Sequence, residues 1–275
     1  MSRMWNFTCL AGSLAIAFLL SGSLAAAASI ADLYRSTAVV SGQGETNRAK
    51  GLALCLEDVL VKVSGDPRLI GDPKVVELTS QAAGFVAHFQ YRDRMSGVPM
   101  HDEQGSYDRP HDLTVDFDAE KIDAVLRSLG RKPWLSARPH VVVFLAVNGR
   151  KEKFALTSDR DPDMRRSLAA AAERVGLPVG LPTNAQLAKQ GWNVETLPRS
   201  DISNLDAAAT AAGSELALAG TLTWSDSALG WIADWRMRSD AKNYRWQIRG
   251  VGFDDAFRNG MRGAVQVLSG HGQPQ

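Results

Sequence analysis

Residues 52–69 of the chain read LALCLEDVLVKVSGDPRL, and the rest of the sequence can be placed around this stretch. Apolar residues recur at steps of three and four from Ala49 to Val63, which predicts an amphipathic helix from about Thr46 to Val63. Gly65 can take the left-handed conformation that ends helices, and Pro67 prevents the helix from continuing. The stretch predicts a helix that packs one face on a sheet and ends in a tight turn.

The neighbouring segments predict an N-terminal α+β domain over residues 29–136, with the element order β-α-α-β-β-α. A strand at Leu33–Val40 precedes the long helix, and Asp72-Pro73 opens a second, short helix. Two alternating strands follow, the second over residues 113–117. A last helix is capped by Asp118 and stopped by Gly130.

A change in composition at the two prolines of residues 131–139 places a domain boundary near residue 137. Residues 140–147 read HVVVFLAV, a continuous apolar run typical of a strand covered on both faces. The charged stretch Asn148–Arg160 is predicted to be a loop. Residues 137–275 are therefore predicted to form an α/β domain. It has a mixed sheet, crossover helices and a C-terminal three-stranded antiparallel meander followed by a helix.

The N-terminus has the three parts of a secretory signal peptide, predicted to cover residues 1–28. Arg3 supplies a positive start, an apolar run follows from Leu10 to Leu20, and small residues lead to Ala27 and Ala28. An uncleaved anchor is the alternative, but the apolar run is short for a membrane span. We expect cleavage, export and a periplasmic location, with no transmembrane segment in the mature chain.

Charge and cysteine content narrow the classes of function. The chain has 31 basic and 30 acidic side chains, and removal of Arg3 with the signal peptide leaves 30 of each. This balance argues against a nucleic-acid partner, which requires an excess of positive charge. Cys55 would be the only cysteine left, so no intramolecular disulfide can form. It is predicted to be a buried structural thiol because no adjacent basic group lowers its pKa.

One polar segment carries candidate metal ligands. His101, Asp102 and His111 could hold a divalent cation, which would make the protein a metal-dependent hydrolase. A metal site needs ligands that are fixed in place, and the same segment contains Gly97 and Gly105, so a solvated hairpin connection is favoured over a metal site.

Signatures of other catalytic sites are missing from the sequence. There is no G-x-S-x-G elbow and no P-loop. Ser64 could be drawn as a nucleophile beside Gly65, but a helix-ending turn accounts for the same residues. Asp159, Asp161 and Asp163 resemble part of a calcium loop, but helix capping explains them without a metal. We therefore predict no cofactor and no catalytic residue.

The C-terminal meander offers two candidate interaction faces. Four tryptophans fall on one side and are expected to lie in the core, with a glycan-stacking surface as the alternative. They are Trp224, Trp231, Trp235 and Trp246. Four arginines fall on the other side of the last two strands; a solvated sheet face is the favoured interpretation, and contact with an anionic partner is the alternative. They are Arg236, Arg238, Arg245 and Arg249.

Three stretches resemble an exported bacterial family known only as a domain of unknown function, and the resemblance covers most of residues 30–250. The stretches are Val59–Leu69 (VLVKVSGDPRL), Phe89-Gln90-Tyr91-Arg92, and Pro133-Trp134 with Arg138-Pro139 and Val141–Val147. Residues 211–220 are also similar, more weakly, to envelope assembly and lipoprotein-associated domains. The resemblance implies no activity, cofactor or catalytic residue.

The sequence thus favours an exported, non-catalytic protein with a binding or accessory role in the cell envelope. Its expected partner is an envelope protein or a cell-wall component of unknown identity. The metal-dependent hydrolase and the cell-wall glycan-binding module remain as alternatives.

Overall fold

The computed structural model describes residues 30–97 and 109–275. The predicted signal peptide lies outside these residues. The helices of the described part are α1 (Ile30–Leu33), α2 (Glu45–Ser64), α3 (Pro73–Thr79), α4 (Ala119–Ser128), α5 (Pro162–Arg174), α6 (Asn184–Lys189), α7 (Ile202–Ala211) and α8 (Phe253–Leu268). The strands are β1 (Arg35–Ser41), β2 (Val86–Asp93), β3 (Pro110–Phe117), β4 (Val141–Asn148), β5 (Lys153–Leu156), β6 (Val179–Gly180), β7 (Leu216–Ser225), β8 (Gly230–Ser239) and β9 (Lys242–Val251).

The N-terminal half is an antiparallel sheet with the strand order β1-β3-β2, covered on one face by α2. Leu56 and Leu60 of the helix pack with Leu113 and Val115 of the central strand, and all four side chains are buried. At Gly51 the helix lies so close to the sheet that a Cβ atom would sit 2.7 Å from the Leu113 side chain. Glycine therefore sets the distance between the helix and the sheet.

The long helix agrees with its prediction to within one residue at each end. Gly65 has φ of 70°, and its N–H donates to the Val61 carbonyl, as the left-handed helix cap requires. The predicted first strand is displaced, because residues 30–33 form the short helix α1 and β1 starts only at Arg35.

The C-terminal half is a mixed sheet with the strand order β5-β4-β7-β8-β9, and β6 also pairs with β4. Strand β4 runs parallel to β7, and β7, β8 and β9 form the predicted antiparallel meander. The residues of β4 alternate between two cores. Val143 and Leu145 belong to the core under α5 and α8, while Val142 and Phe144 face α6 and α7. The continuous apolar run is therefore a strand covered on both faces, as predicted.

The loop prediction for residues 148–160 was wrong, because β5 lies inside this stretch and pairs with the end of β4. Phe154 and Leu156 of β5 are buried, and Lys153 is exposed. Only four residues alternate, and the charged residues around them concealed the pattern. The α+β class and the mixed second sheet are confirmed, while the division near residue 137 stays a prediction.

Helix α8 fits against the meander through two glycines. A Cβ atom at Gly260 would lie 2.6 Å from the Trp235 indole, and one at Gly263 would lie 2.3 Å from the Trp246 indole. Both tryptophans are consequently buried between the sheet and the helix. Across residues 30–97 and 109–275, no helix combines the length and the apolar character that a membrane crossing requires.

Candidate functional site

Strands β8 and β9 bring the four predicted arginines together on the face opposite α8. We call Arg236, Arg238, Arg245 and Arg249 the arginine face. Arg236 lies directly opposite Arg245 in the strand register. Arg249 is opposite Ile232, six residues along β8 from Arg238, so the face extends over about 20 Å.

The positive charge of the arginine face has no close counter-charge within residues 30–97 and 109–275. None of the four guanidinium groups forms a salt bridge there. Arg236 is partly buried and donates to the Leu197 carbonyl at 3.0 Å. Burial, and then the charge of Arg245, lower the pKa of Arg236. Like charges directly opposite each other destabilise a strand pair, so packing does not account for this arrangement.

The acidic groups near the arginine face are engaged by other partners. Asp201 accepts from the Ser203 N–H at the start of α7, and this bond lowers its pKa, with smaller effects of Arg236 and Arg238. The Asp234 carboxylate accepts from Gln247 at 2.5 Å. These carboxylates moderate the positive potential of the face without forming ion pairs with it.

A shallow groove lies beside the centre of the arginine face. It is lined by Leu197, Pro198, Thr221, Asp234, Arg236 and Arg245. It encloses only about 40 Å³, much less than the several hundred Å³ typical of small-molecule sites. The face is therefore better suited to contact with the surface of a partner than to enclosing a small ligand.

The predicted metal site can be described only in part. His101 and Asp102 lie outside the described residues. His111 lies in β3, where Nδ1 is 2.7 Å from the Arg109 carbonyl oxygen and Nε2 is 3.2 Å from Gln43 Nε2. Both ring nitrogens are therefore occupied. Residues 30–97 and 109–275 contain no cluster of three or more histidine, cysteine or acidic side chains that could hold a metal.

The aspartates that resemble part of a calcium loop have separate partners. Asp161 caps α5 by accepting from the Met164 N–H at 3.0 Å. Asp159 accepts from Thr157 at 2.7 Å and from Asn184 at 2.9 Å. These contacts agree with helix capping and turn formation.

The four tryptophans have two different environments. Trp235 and Trp246 are buried in the core and cannot stack on a sugar in this conformation. Trp224 and Trp231 are partly exposed and meet edge to face, with ring centroids 5.5 Å apart. Arg150 covers the Trp224 ring at 4.5 Å from its centroid. A glycan surface would therefore be limited to this corner.

The turn after α2 carries a polar network between the two halves that sequence reasoning missed. The sequence predicts only a tight turn at this point, but the Asp66 carboxylate within it is fully buried. It accepts two hydrogen bonds from the Arg68 guanidinium, at 2.7 and 2.8 Å, one from the Arg68 backbone N–H at 3.1 Å, and one from Arg131 at 2.6 Å. Burial by itself raises the pKa of Asp66, but these hydrogen bonds outweigh it and lower the pKa to about 2. An aspartate two residues before an arginine was the only local signal.

Residues near the C-terminus complete this network. Ser269 Oγ donates to the Gly65 carbonyl at 2.8 Å, and His271 Nε2 lies 3.2 Å from the Ser64 carbonyl oxygen. Ser64 Oγ donates to the Leu60 carbonyl at 2.6 Å and is buried. These contacts support the interpretation of Ser64 as a structural residue and tie the turn to the end of α8.

Residues 27–135 match the model of a domain of unknown function (DUF8605). This segment contains the LVKVSGDPRL stretch and residues 89–92, so it agrees with the expected resemblance to an uncharacterised domain. No curated protein matches the chain. Export and the similarity to envelope assembly domains stay predictions.

Proposed function

We propose that the protein is an exported, periplasmic binding protein without catalytic activity that holds an anionic partner in the cell envelope. One observation carries the proposal: four arginines share one sheet face, with Arg236 directly opposite Arg245, and none forms an ion pair within the described residues. An anionic partner would remove the repulsion between Arg236 and Arg245. The location rests on the apolar run and small residues of the predicted signal peptide.

The partner we propose is an extended acidic segment of another envelope protein. Arginine presents a planar fork of donors that matches a carboxylate with two parallel hydrogen bonds. The arginine face follows the strands for about 20 Å, which suits several carboxylates in a row better than one isolated anion. Strand β9 is also an edge strand, which makes the face accessible from the side.

Binding of a glutamate-rich peptide, measured by fluorescence anisotropy, tests the proposal. Arg245→Gln with Arg249→Gln should weaken binding about tenfold or more, since hydrogen bonds between charged groups contribute about 1.5 kcal/mol or more each. Arg127→Gln with Arg166→Gln is the matched control, because it removes two exposed charges from helices α4 and α5. Equal weakening by both pairs would show only a general charge effect and would contradict the proposal.

Two further measurements separate the parts of the proposal. If polyphosphate binds through the arginine face and the peptide does not, the partner is an anionic polymer. The proposal of an acidic protein segment as the partner would then be wrong. Crosslinking in intact cells, followed by fractionation and N-terminal sequencing, tests the location independently. A chain found with residues 1–28 intact in the cytoplasm would contradict export.

A further inference from the structure

A second groove lies on another part of the molecule, where the two halves meet. It is lined by the turn after α2 on one side, by β9 and α8 on the other, and by residues 273–275, and its volume is about 330 Å³. Its lining includes Arg68, Ile70, Trp246, Asn259, Arg262 and Gln266. We call it the junction groove. Its volume falls at the lower end of the range typical of small-molecule sites.

Arg262 is the group in the junction groove that most needs a partner. It is partly buried, yet it forms no salt bridge or hydrogen bond with any side chain in residues 30–97 or 109–275. The neighbouring arginines are already paired: Arg174 with Asp58 at 3.3 Å, and Arg258 with Asp255 at 2.5 Å. Burial lowers the pKa of Arg262. The Asp58 carboxylate, which is paired with Arg174, also attracts Arg262, but no carboxylate in the described residues hydrogen-bonds to it, so a ligand carboxylate would supply a bond that the described residues do not.

Asn259 adds a second unsatisfied group beside it. The Asn259 side-chain oxygen is buried and has no hydrogen-bond donor within the described residues. Asn259 and Arg262 are three residues apart on α8, so their side chains lie on the same face of the helix. Ile70 and the Trp246 ring provide apolar walls. The groove thus offers a cation and an apolar surface, with a buried, unsatisfied hydrogen-bond acceptor beside them.

We propose that the junction groove binds a small organic carboxylate that also carries an N–H or O–H donor and an apolar group. The carboxylate lies on Arg262 and the apolar group lies between Ile70 and Trp246, while a rotation of the Asn259 amide would turn its buried oxygen toward the ligand donor. The ligand touches both halves, because the N-terminal half contributes Arg68 and Ile70. This site is separate from the arginine face, which lies on the other side of β9.

N-acetyl-leucine is a suitable probe, because it has a carboxylate, an N–H and an apolar side chain. N-acetyl-leucinamide has the same shape without the charge. Calorimetry with the full chain should detect binding of the acid and at least about tenfold weaker binding of the amide, since a charged hydrogen-bonded pair contributes about 1.5 kcal/mol or more. Equal binding of the acid and the amide would overturn the proposal.

Two variants locate the binding site. Arg262→Gln should weaken binding of N-acetyl-leucine about tenfold or more. Arg258→Gln, one turn earlier on the same helix, should leave this affinity unchanged. Asn259→Asp keeps the shape of the side chain and adds a negative charge beside Arg262, so it should abolish binding even if Arg262→Gln does not fold. If neither substitution changes the affinity, or if the wild-type chain does not bind the acid at about 10 mM, the proposal is wrong.

Discussion

Replacement of Asp66 by asparagine tests whether the buried carboxylate stabilises the junction between the halves. The pKa of Asp66 is lowered from 3.8 to about 2 by Arg68 and Arg131. A carboxyl group with a depressed pKa stabilises the fold above its unfolded pKa, and this contribution is lost as the pH falls through the folded pKa. The shift corresponds to about 2 kcal/mol at neutral pH and about 1 kcal/mol near pH 3.

The prediction is therefore a difference that depends on pH. Asp66→Asn should lower the free energy of unfolding by about 2 kcal/mol or more at pH 7, because it leaves two arginines without their carboxylate. The gap between variant and wild type should narrow by about 1 kcal/mol near pH 3. Urea denaturation followed by circular dichroism measures both values.

Asp240→Asn is the matched control, because it removes an exposed carboxylate at a left-handed position that asparagine tolerates. This substitution should change the free energy of unfolding only slightly, and the change should be the same at pH 7 and near pH 3. A penalty at Asp66 that stays constant between neutral pH and pH 3 would refute the assignment of the stabilisation to the ionised carboxylate.

Three further outcomes follow from the geometry. Gly65→Ala should destabilise the fold by at least about 1 kcal/mol more than Gly71→Ala in urea denaturation, because both have φ near 70° but only the Cβ at residue 65 meets another side chain, at 2.4 Å. Cys55 is buried and its pKa is raised to about 12 by burial, so iodoacetamide should label it, as read by peptide mass spectrometry, only after unfolding. Arg245→Gln should raise the midpoint of thermal unfolding slightly at low salt, since it removes the repulsion with Arg236, and the gain should fade at high salt.

The elements that the sequence predicts well are those whose burial pattern repeats over many residues. Helix α2 has four turns of apolar spacing and a glycine stop, so local chemistry determines its C-terminal end, whereas its start at Glu45 has no side-chain cap. Strand β4 has an unbroken apolar run because both of its faces are covered. Strand β5 was missed because four residues give too short an alternation to stand out from the surrounding charges.

The site could be predicted only where local alternation determines it. The strand period places Arg236, Arg238, Arg245 and Arg249 on one face without any knowledge of the tertiary structure. It does not reveal that Arg236 and Arg245 are direct neighbours, because that depends on the register set by the turn between β8 and β9. The contact between Asp66 and His271 across the junction is still harder to predict, since the two residues are distant in sequence.

The turn that ends α2 connects the two halves of the protein. Its local sequence explains the left-handed Gly65 and the aspartate beside it, and nothing in it requires a buried charge. The burial comes from Ser269 and His271, which close over the turn from the end of the chain. Arg68 is held by the buried Asp66 carboxylate and also lines the junction groove. The stretch therefore links the two halves, and a ligand in the proposed junction site would meet an arginine whose position the turn determines.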